Sequence, residues 1–206
     1  MRVIAGSAGG LRLSVPKRGV RPTMDRVKAA IFSSLSDAVV GARVLDLFAG
    51  SGGLGIEALS RGASSALFVE GDPQSAEVIE RNLAKTRLRG RVRQQDVFDF
   101  LRHCSVAQTF QIIFADPPYE KTKGGEPYTQ KLLTTEALPQ LLDTDGIFVL
   151  EKRPNETLPE KNMWHLVRQK TYGATEVVFL KPSYHRKTAA VCSPHAKTLR
   201  AKSLKE

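Results

Sequence analysis

The ten residues from Asp46 to Gly55, DLFAGSGGLG, decide the fold. They close the apolar run RVLDL at 43–47 and open a segment of helical character, and Gly50, Gly52 and Gly55 satisfy G-x-G-x-x-G. A strand that runs into a glycine turn and then a helix is the first unit of an open α/β sheet, whose ligand sits beyond the strand ends. Glu70 closes the next apolar strand twenty residues after Gly50, placed to accept hydrogen bonds from ribose hydroxyls. By spacing alone this is a dinucleotide fingerprint. Asp46 points elsewhere: a pyrophosphate needs the bare positive end of a helix, and a carboxylate at its mouth repels it. A ligand carrying a sulfonium and an ammonium suits that acid, so Asp46 favours S-adenosylmethionine over NAD.

Outward from this turn, apolar strands alternate with helical segments. The strands are expected at 43–47, 66–70, 91–95, 110–115, 146–151, 164–170 and 175–181, and the helices at 53–61, 73–86, 97–103 and 128–142. Such alternation implies right-handed crossovers and a Rossmann-like, seven-stranded, mostly parallel sheet covered on both faces. The last two strands are separated only by a turn at Tyr172-Gly173 and are expected to form an antiparallel edge hairpin. Ahead of this body, RVIA (2–5) and LRLSV (11–15) read as two paired strands. Residues 24–36 read as an amphipathic helix with Thr23 as its N-cap, Val27, Ala30, Ile31, Ser34 and Leu35 inward, and Arg26 and Lys28 outward.

The chain has 206 residues, 41% hydrophobic and 25% charged, enough for a sizeable core. No apolar run approaches a membrane span, and the opening MRVIAGSAGG is too polar for a signal peptide. Two distant cysteines, Cys104 and Cys192, exclude a disulfide framework and a zinc finger. The four histidines have no metal-ligand spacing, and Cys104 reads as a helix-end residue. A metal-free, cytoplasmic monomer without a membrane partner is expected. The net charge of +10 is concentrated at the ends: residues 1–42 and 186–206 each carry +5, whereas 43–185 are neutral. That pattern divides the chain into a basic N-terminal extension (1–42), the α/β domain (43–182) and a basic tail (183–206). It fits a polyanion gripped by the termini.

A second motif, Asp116-Pro117-Pro118-Tyr119, follows the fourth core strand. Two prolines stiffen the backbone and remove two N–H donors, leaving the Asp116 carboxylate and the Pro117 carbonyl as neighbouring acceptors, with the Tyr119 ring beyond them. Two acceptors can hold both N–H groups of an exocyclic amine on a base, aim its lone pair, and leave the ring to stack on the base. Asp96, after the third strand, is placed either to meet an adenine amine or to cap the helix at 97–103, or both. Residues 120–129, with Gly124-Gly125, read as a lid over the substrate.

DLFAGSG, the acid closing the second strand and DPPY after the fourth resemble the class I S-adenosylmethionine-dependent amino-methyltransferases. The run from Arg21 to Val27, RPTMDRV, preceded by RVIAG and followed by a short helix, resembles more specifically the RsmD family, with the likeness extending from residue 2 to about 181. The resemblance implies methylation of the exocyclic N2 of a guanine in small-subunit (16S) ribosomal RNA, as naked RNA or as the small ribosomal subunit. It implies that Asp46, Gly50, Gly52, Glu70 and Asp96, with the adjoining Phe48, Ala49 and Val97, hold the cofactor, and that Asp116, Pro117 and Tyr119 orient the amine. It further implies that the N-terminal basic segment positions RNA, with Arg21, Thr23 and Arg26 at its centre and Arg2 and Arg12 ahead of them. The competing readings are an adenine-N6 nucleic-acid methyltransferase, an NAD-dependent oxidoreductase and a non-catalytic RNA-binding assembly factor.

Overall fold

The computed structural model describes residues 1–16, 25–105, 108–119, 124–154, 156–159 and 163–183. Arg21, Thr23, residues 120–123 of the expected lid and the tail beyond 183 lie outside the described residues.

Seven strands form one sheet in the order β3-β2-β1-β4-β5-β7-β6. They are β1 (Arg43–Leu47), β2 (Ser65–Glu70), β3 (Arg91–Gln94), β4 (Phe110–Ala115), β5 (Leu142–Lys152), β6 (Trp164–Tyr172) and β7 (Thr175–Pro182). The first five run parallel. β7 pairs antiparallel with both β5 and β6, the expected edge hairpin. The strand order reverses between β1 and β4, so their carboxyl ends open the crevice where such a sheet takes its ligand.

Side-chain alternation along β1 splits the core in two. Val44 faces one side with Phe68, Ile56, Ile79 and Phe32, while Leu45 and Leu47 face the other with Val69, Phe98, Ile113 and Phe148. The first layer is covered by α1 (Asp25–Leu35), α2 (Gly53–Ser60) and α3 (Pro73–Thr86), the second by α4 (Val97–His103), α5 (Tyr128–Thr134) and α6 (Ala137–Gln140). α3 shows why its sequence starts a helix there. Asp72 accepts the Ser75 N–H at 2.8 Å as N-cap, and Pro73 occupies the first turn, where a missing N–H costs nothing.

Four expectations are corrected. The two N-terminal strands reduce to a single antiparallel bridge between Arg2 and Arg12. The N–H groups of Ile4 and Ala5 bind the carboxylate of Glu57 at 2.7 and 3.1 Å instead of extending a ladder. Lys28 does not point outward: it is fully buried, paired with Glu57 at 3.2 Å and donating to the Arg2 carbonyl. The helix expected over 128–142 is two helices broken at an extended Thr135. An unbroken helix would press the Pro139 ring onto the Thr135 carbonyl. β5 begins at Leu142 rather than at residue 146, because a register shift between Phe110 and Ile112 takes up the extra residues.

Among the described residues no helix is long and apolar enough to cross a membrane, and no group of three or more His, Cys, Asp or Glu side chains could hold a metal ion.

Candidate active site at the strand ends

β1 delivers Asp46 and then the glycine turn. Phe48 and Gly50 both take positive φ, 55° and 56°, and Gly52 takes φ 80° immediately before α2. An L side chain at Gly52 would be strained by that backbone alone. Gly55 is required for space: a Cβ there would lie 2.3 Å from the Phe68 ring and 3.0 Å from Asp46 Oδ2. The close approach lets the Gly55 N–H donate to Asp46 Oδ2 at 2.8 Å.

Asp46 is buried, and its carboxyl is pushed up to about 8. Burial is the main cause; the Gly55 N–H works against it, and the Asp116 and Glu70 carboxylates add to it. A buried acid flanked by two further acids is a site that favours a cation. Glu70, at the end of β2, accepts the Gly50 N–H at 2.7 Å and the Asp72 N–H at 2.9 Å. Burial raises its pKa and these N–H groups oppose the rise. Each carboxylate oxygen can accept a further bond, so ribose hydroxyls still find acceptors there. Residues and ligand chemistry fit: an acid for a positively charged group, a half-buried acceptor for hydroxyls, and a turn in which side chains have been removed.

Asp96 is exposed and caps α4, its Oδ1 accepting the N–H groups of Phe98 and Asp99 at 2.9 and 3.0 Å. Val97 is buried in the second core layer. The Ala49 N–H is bound to the Val69 carbonyl at 3.2 Å, which seats the turn on β2. Phe48 packs edge-on against Phe98 and Tyr128, at 6.1 and 5.6 Å between ring centroids. Tyr128, assigned above to a lid, is thus the anchored first residue of α5. Phe98 and Tyr128 carried no signal of their own, since an aromatic in a helix reads as core.

β4 lies beside β1 with Asp46 opposite Phe114 and Leu47 opposite Ala115, so Asp116 leaves the sheet next to Phe48. Asp116 is half-buried and Pro117 buried. Because β1 and β4 are neighbours, the two motifs leave the sheet at adjacent strand ends, and the Asp116 charge adds to the rise of the Asp46 carboxyl. Tyr119 is held at Oη by Thr175 Oγ1 of β7 at 3.0 Å, and the Arg153 guanidinium lies over its ring, 5.2 Å from the centroid. Neither partner was foreseen. Thr175 opens β7 and Arg153 follows the end of β5, both far along the chain.

The N-terminal segment adjoins the glycine turn. A Cβ on Gly53 would meet Met1 Sδ at 2.7 Å, and Asn82 of α3 bonds both Ser14 and Ser51. Arg2, Arg12 and Arg26 are exposed, with Arg2 paired to Asp25 at 3.4 Å. Cys104 ends α4 as expected, its thiol donating to the Leu101 carbonyl and pushed up by burial.

The family described as conserved hypothetical protein 95 matches residues 1–190. Ribosomal RNA small subunit methyltransferase D of Escherichia coli (strain K12) is 35% identical over 175 residues, covering 84% of this chain and 85% of that protein. The chain belongs to the RsmD family. YlbH of Bacillus subtilis (strain 168) is 41% identical over 187 residues, 88% of this chain and 98% of its own. The solved structure of TTHA0928 from Thermus thermophilus superposes with a TM-score of 0.74 at 30% identity, covering 88% of this chain and 99% of that one. RsmD family membership and the Rossmann-like sheet agree with the reading from the glycine turn and the DPPY elbow.

Proposed function

We propose that this chain transfers a methyl group from S-adenosylmethionine to the exocyclic N2 of a guanine in small-subunit (16S) ribosomal RNA. The observation that carries the reading is the pairing of β1 with β4, which sets the buried Asp46 and the Asp116-Pro117 acceptors at adjacent strand ends. Membership in a family whose Escherichia coli relative is named for methylating small-subunit rRNA supports the acceptor class.

The cofactor supplies an electrophilic methyl carbon on a cationic sulfur. Asp46, Glu70 and the turn from Phe48 to Gly52 would hold it, with Asp96 and Val97 beside the end of β3. The chain's work on the acceptor is orientation. The Asp116 carboxylate and the Pro117 carbonyl accept the two amine N–H groups, which turns the nitrogen lone pair away from the base ring and toward the Asp46 side of the crevice. Asp116 is also the acceptor nearest the proton that the amine must shed. Alignment of this kind accounts for up to roughly 7–11 kcal/mol of a barrier in well-oriented systems. The Tyr119 ring, with Arg153 over it, would stack on the extruded base.

The test is incubation of the chain with methyl-labelled cofactor and unmodified small subunits or their RNA, followed by digestion to nucleosides. Label in N2-methylguanosine, lost with Asp116→Ala, is the expected result. Label in N6-methyladenosine or in protein overturns the acceptor assignment.

A further inference from the structure

We infer that Arg87, Arg89, Arg91 and Arg93 form a docking edge for the RNA backbone, separate from the crevice and from the N-terminal segment. The inference rests on RNA being the substrate.

The run RLRGRVR at 87–93 alternates arginine with small or apolar residues. Leu88 and Val92 pack against the first core layer. Gly90 lies so close under the sheet that a Cβ would come within 2.6 Å of the Phe68 ring. With the even positions turned inward, the odd ones face solvent, and all four arginines are exposed. Successive arginines within β3 stand roughly 6.6 Å apart along the strand. Among the described residues β3 pairs only with β2, so this is a free edge of the sheet.

Arg2, Arg43, Arg61 and Arg102 are neutralised by Asp25, Asp143, Glu57 and Asp99, while the other exposed arginines (Arg12, Arg26, Arg81, Arg153 and Arg168) are scattered along the sequence rather than set in an alternating run. Among the described residues, none of the four arginines from 87 to 93 has a carboxylate partner. Four uncompensated guanidinium groups repel one another, an arrangement complementary to a line of phosphates and to little else. The neutral charge sum of residues 43–185 hides it, because the balancing acids lie elsewhere.

The location suits the same substrate. Arg93 lies opposite Val69, next to Glu70 at the cofactor end of β2. Three strand spacings separate β3 from β4, about 14 Å, a reach of a few nucleotides from a base held by Asp116. The run begins directly after α3, the helix whose Asn82 anchors Ser14 of the N-terminal segment. RNA leaving the crevice therefore meets basic residues on both sides of α3.

The experiment compares the wild-type chain with a variant carrying Arg87→Gln, Arg89→Gln, Arg91→Gln and Arg93→Gln, binding naked 16S RNA across a salt series. Four lost phosphate contacts predict that the slope of log K against log salt becomes shallower by about 2.8 on a single strand. The KM for RNA should rise at least about tenfold while kcat stays within about twofold, since phosphate contacts position rather than react. Cofactor affinity should not change, which also reports an intact fold. If that affinity does fall, the pair Arg91→Gln with Arg93→Gln carries the same test with half the change in slope. A control on the opposite sheet edge, Arg168→Gln with Lys170→Gln, should leave slope and KM alone. An unchanged slope in the four-fold variant, or an equal loss in the control, overturns the docking edge. Salt-sensitive RNA binding that depends on these arginines without methylation of the RNA would instead sink the proposed reaction and leave the docking edge standing.

Discussion

Asn82, buried in α3, donates its side-chain amide to the Ser51 carbonyl at 2.9 Å, inside the glycine turn. The same NH2 donates to the Ser14 carbonyl at 3.0 Å, while Asn82 Oδ1 accepts the Ser14 N–H at 2.8 Å. One side chain therefore fixes the glycine turn to the segment that leads into the basic N-terminal run. Asn82→Ala strands these backbone groups and should cost about 1–3 kcal/mol of stability. Cofactor affinity should fall with it, because the carbonyl that sets the turn loses its donor. Thermal melts with calorimetric titration of cofactor check both, and an unchanged affinity would show that Ser51 holds its place without Asn82.

The raised Asp46 carboxyl gives a pH dependence with a definite sign. Its folded pKa, about 8, lies above the ordinary carboxylate range, so the native chain holds that proton more tightly than the unfolded one. The group's contribution to stability is complete below about pH 4 and is lost as pH climbs through about 8. Asp46→Asn should remove this loss and leave the ligand-free chain more stable at pH 8–9 than wild type, by an amount on the order of a few kcal/mol. A cationic ligand favours the ionised acid, so cofactor binding should release a proton below pH 8 and tighten as pH rises. Calorimetry in two buffers of different ionisation enthalpy measures that proton, and uptake rather than release would contradict the role given to Asp46.

Legibility in the sequence followed the range of the interactions. Strands flanked by glycine turns and helices could be read to within a few residues, because period, caps and turns are local. The break at Thr135 was missed although Pro139 was in view, since apolar periodicity continues across it. Lys28 was misplaced because its partner Glu57 sits on α2, and a lysine beside an apolar stripe ordinarily faces water. The crevice was legible through residues whose chemistry is unusual for their setting: an acid before a glycine turn and two prolines after a strand. Asn82, Thr175 and Arg153 had no such mark, being ordinary residues that matter through what the sheet brings to them. Asp96 offered two roles, and the structure displays the helix cap.

Tyr119 is held at both ends of its side chain, by Thr175 at the hydroxyl and Arg153 over the ring. If its ring stacks on the target base, Tyr119→Ala should lower methyl transfer by the equivalent of about 1–3 kcal/mol, roughly 5- to 140-fold. Tyr119→Phe keeps the ring and loses the bond to Thr175, so most of the activity should survive. Single-turnover rates with saturating RNA separate the two, and equal losses in both variants would assign the hydroxyl rather than the ring.

Glu57 is the buried hub that joins the N-terminal segment to the body. One carboxylate oxygen accepts the Ile4 N–H and pairs with Lys28, and the other accepts the Ala5 N–H and pairs with Arg61 at 2.8 Å. Burial pulls the Lys28 pKa below its ordinary value and the Glu57 charge opposes that pull, so the ammonium depends on its partner. Glu57→Gln takes the paired counter-charge from the buried Lys28 and should cost about 3–5 kcal/mol. For a chain of this size that corresponds to a fall in Tm of about 6–20 °C. Lys28→Met should cost less, because Glu57 keeps Arg61 and two backbone donors. Amide exchange supplies the local readout: Ile4 and Ala5 should lose protection in Glu57→Gln before the strands of the sheet do. Protection lost everywhere at once would mean that residues 1–16 unfold only with the body, and that Glu57 stabilises the whole rather than the junction.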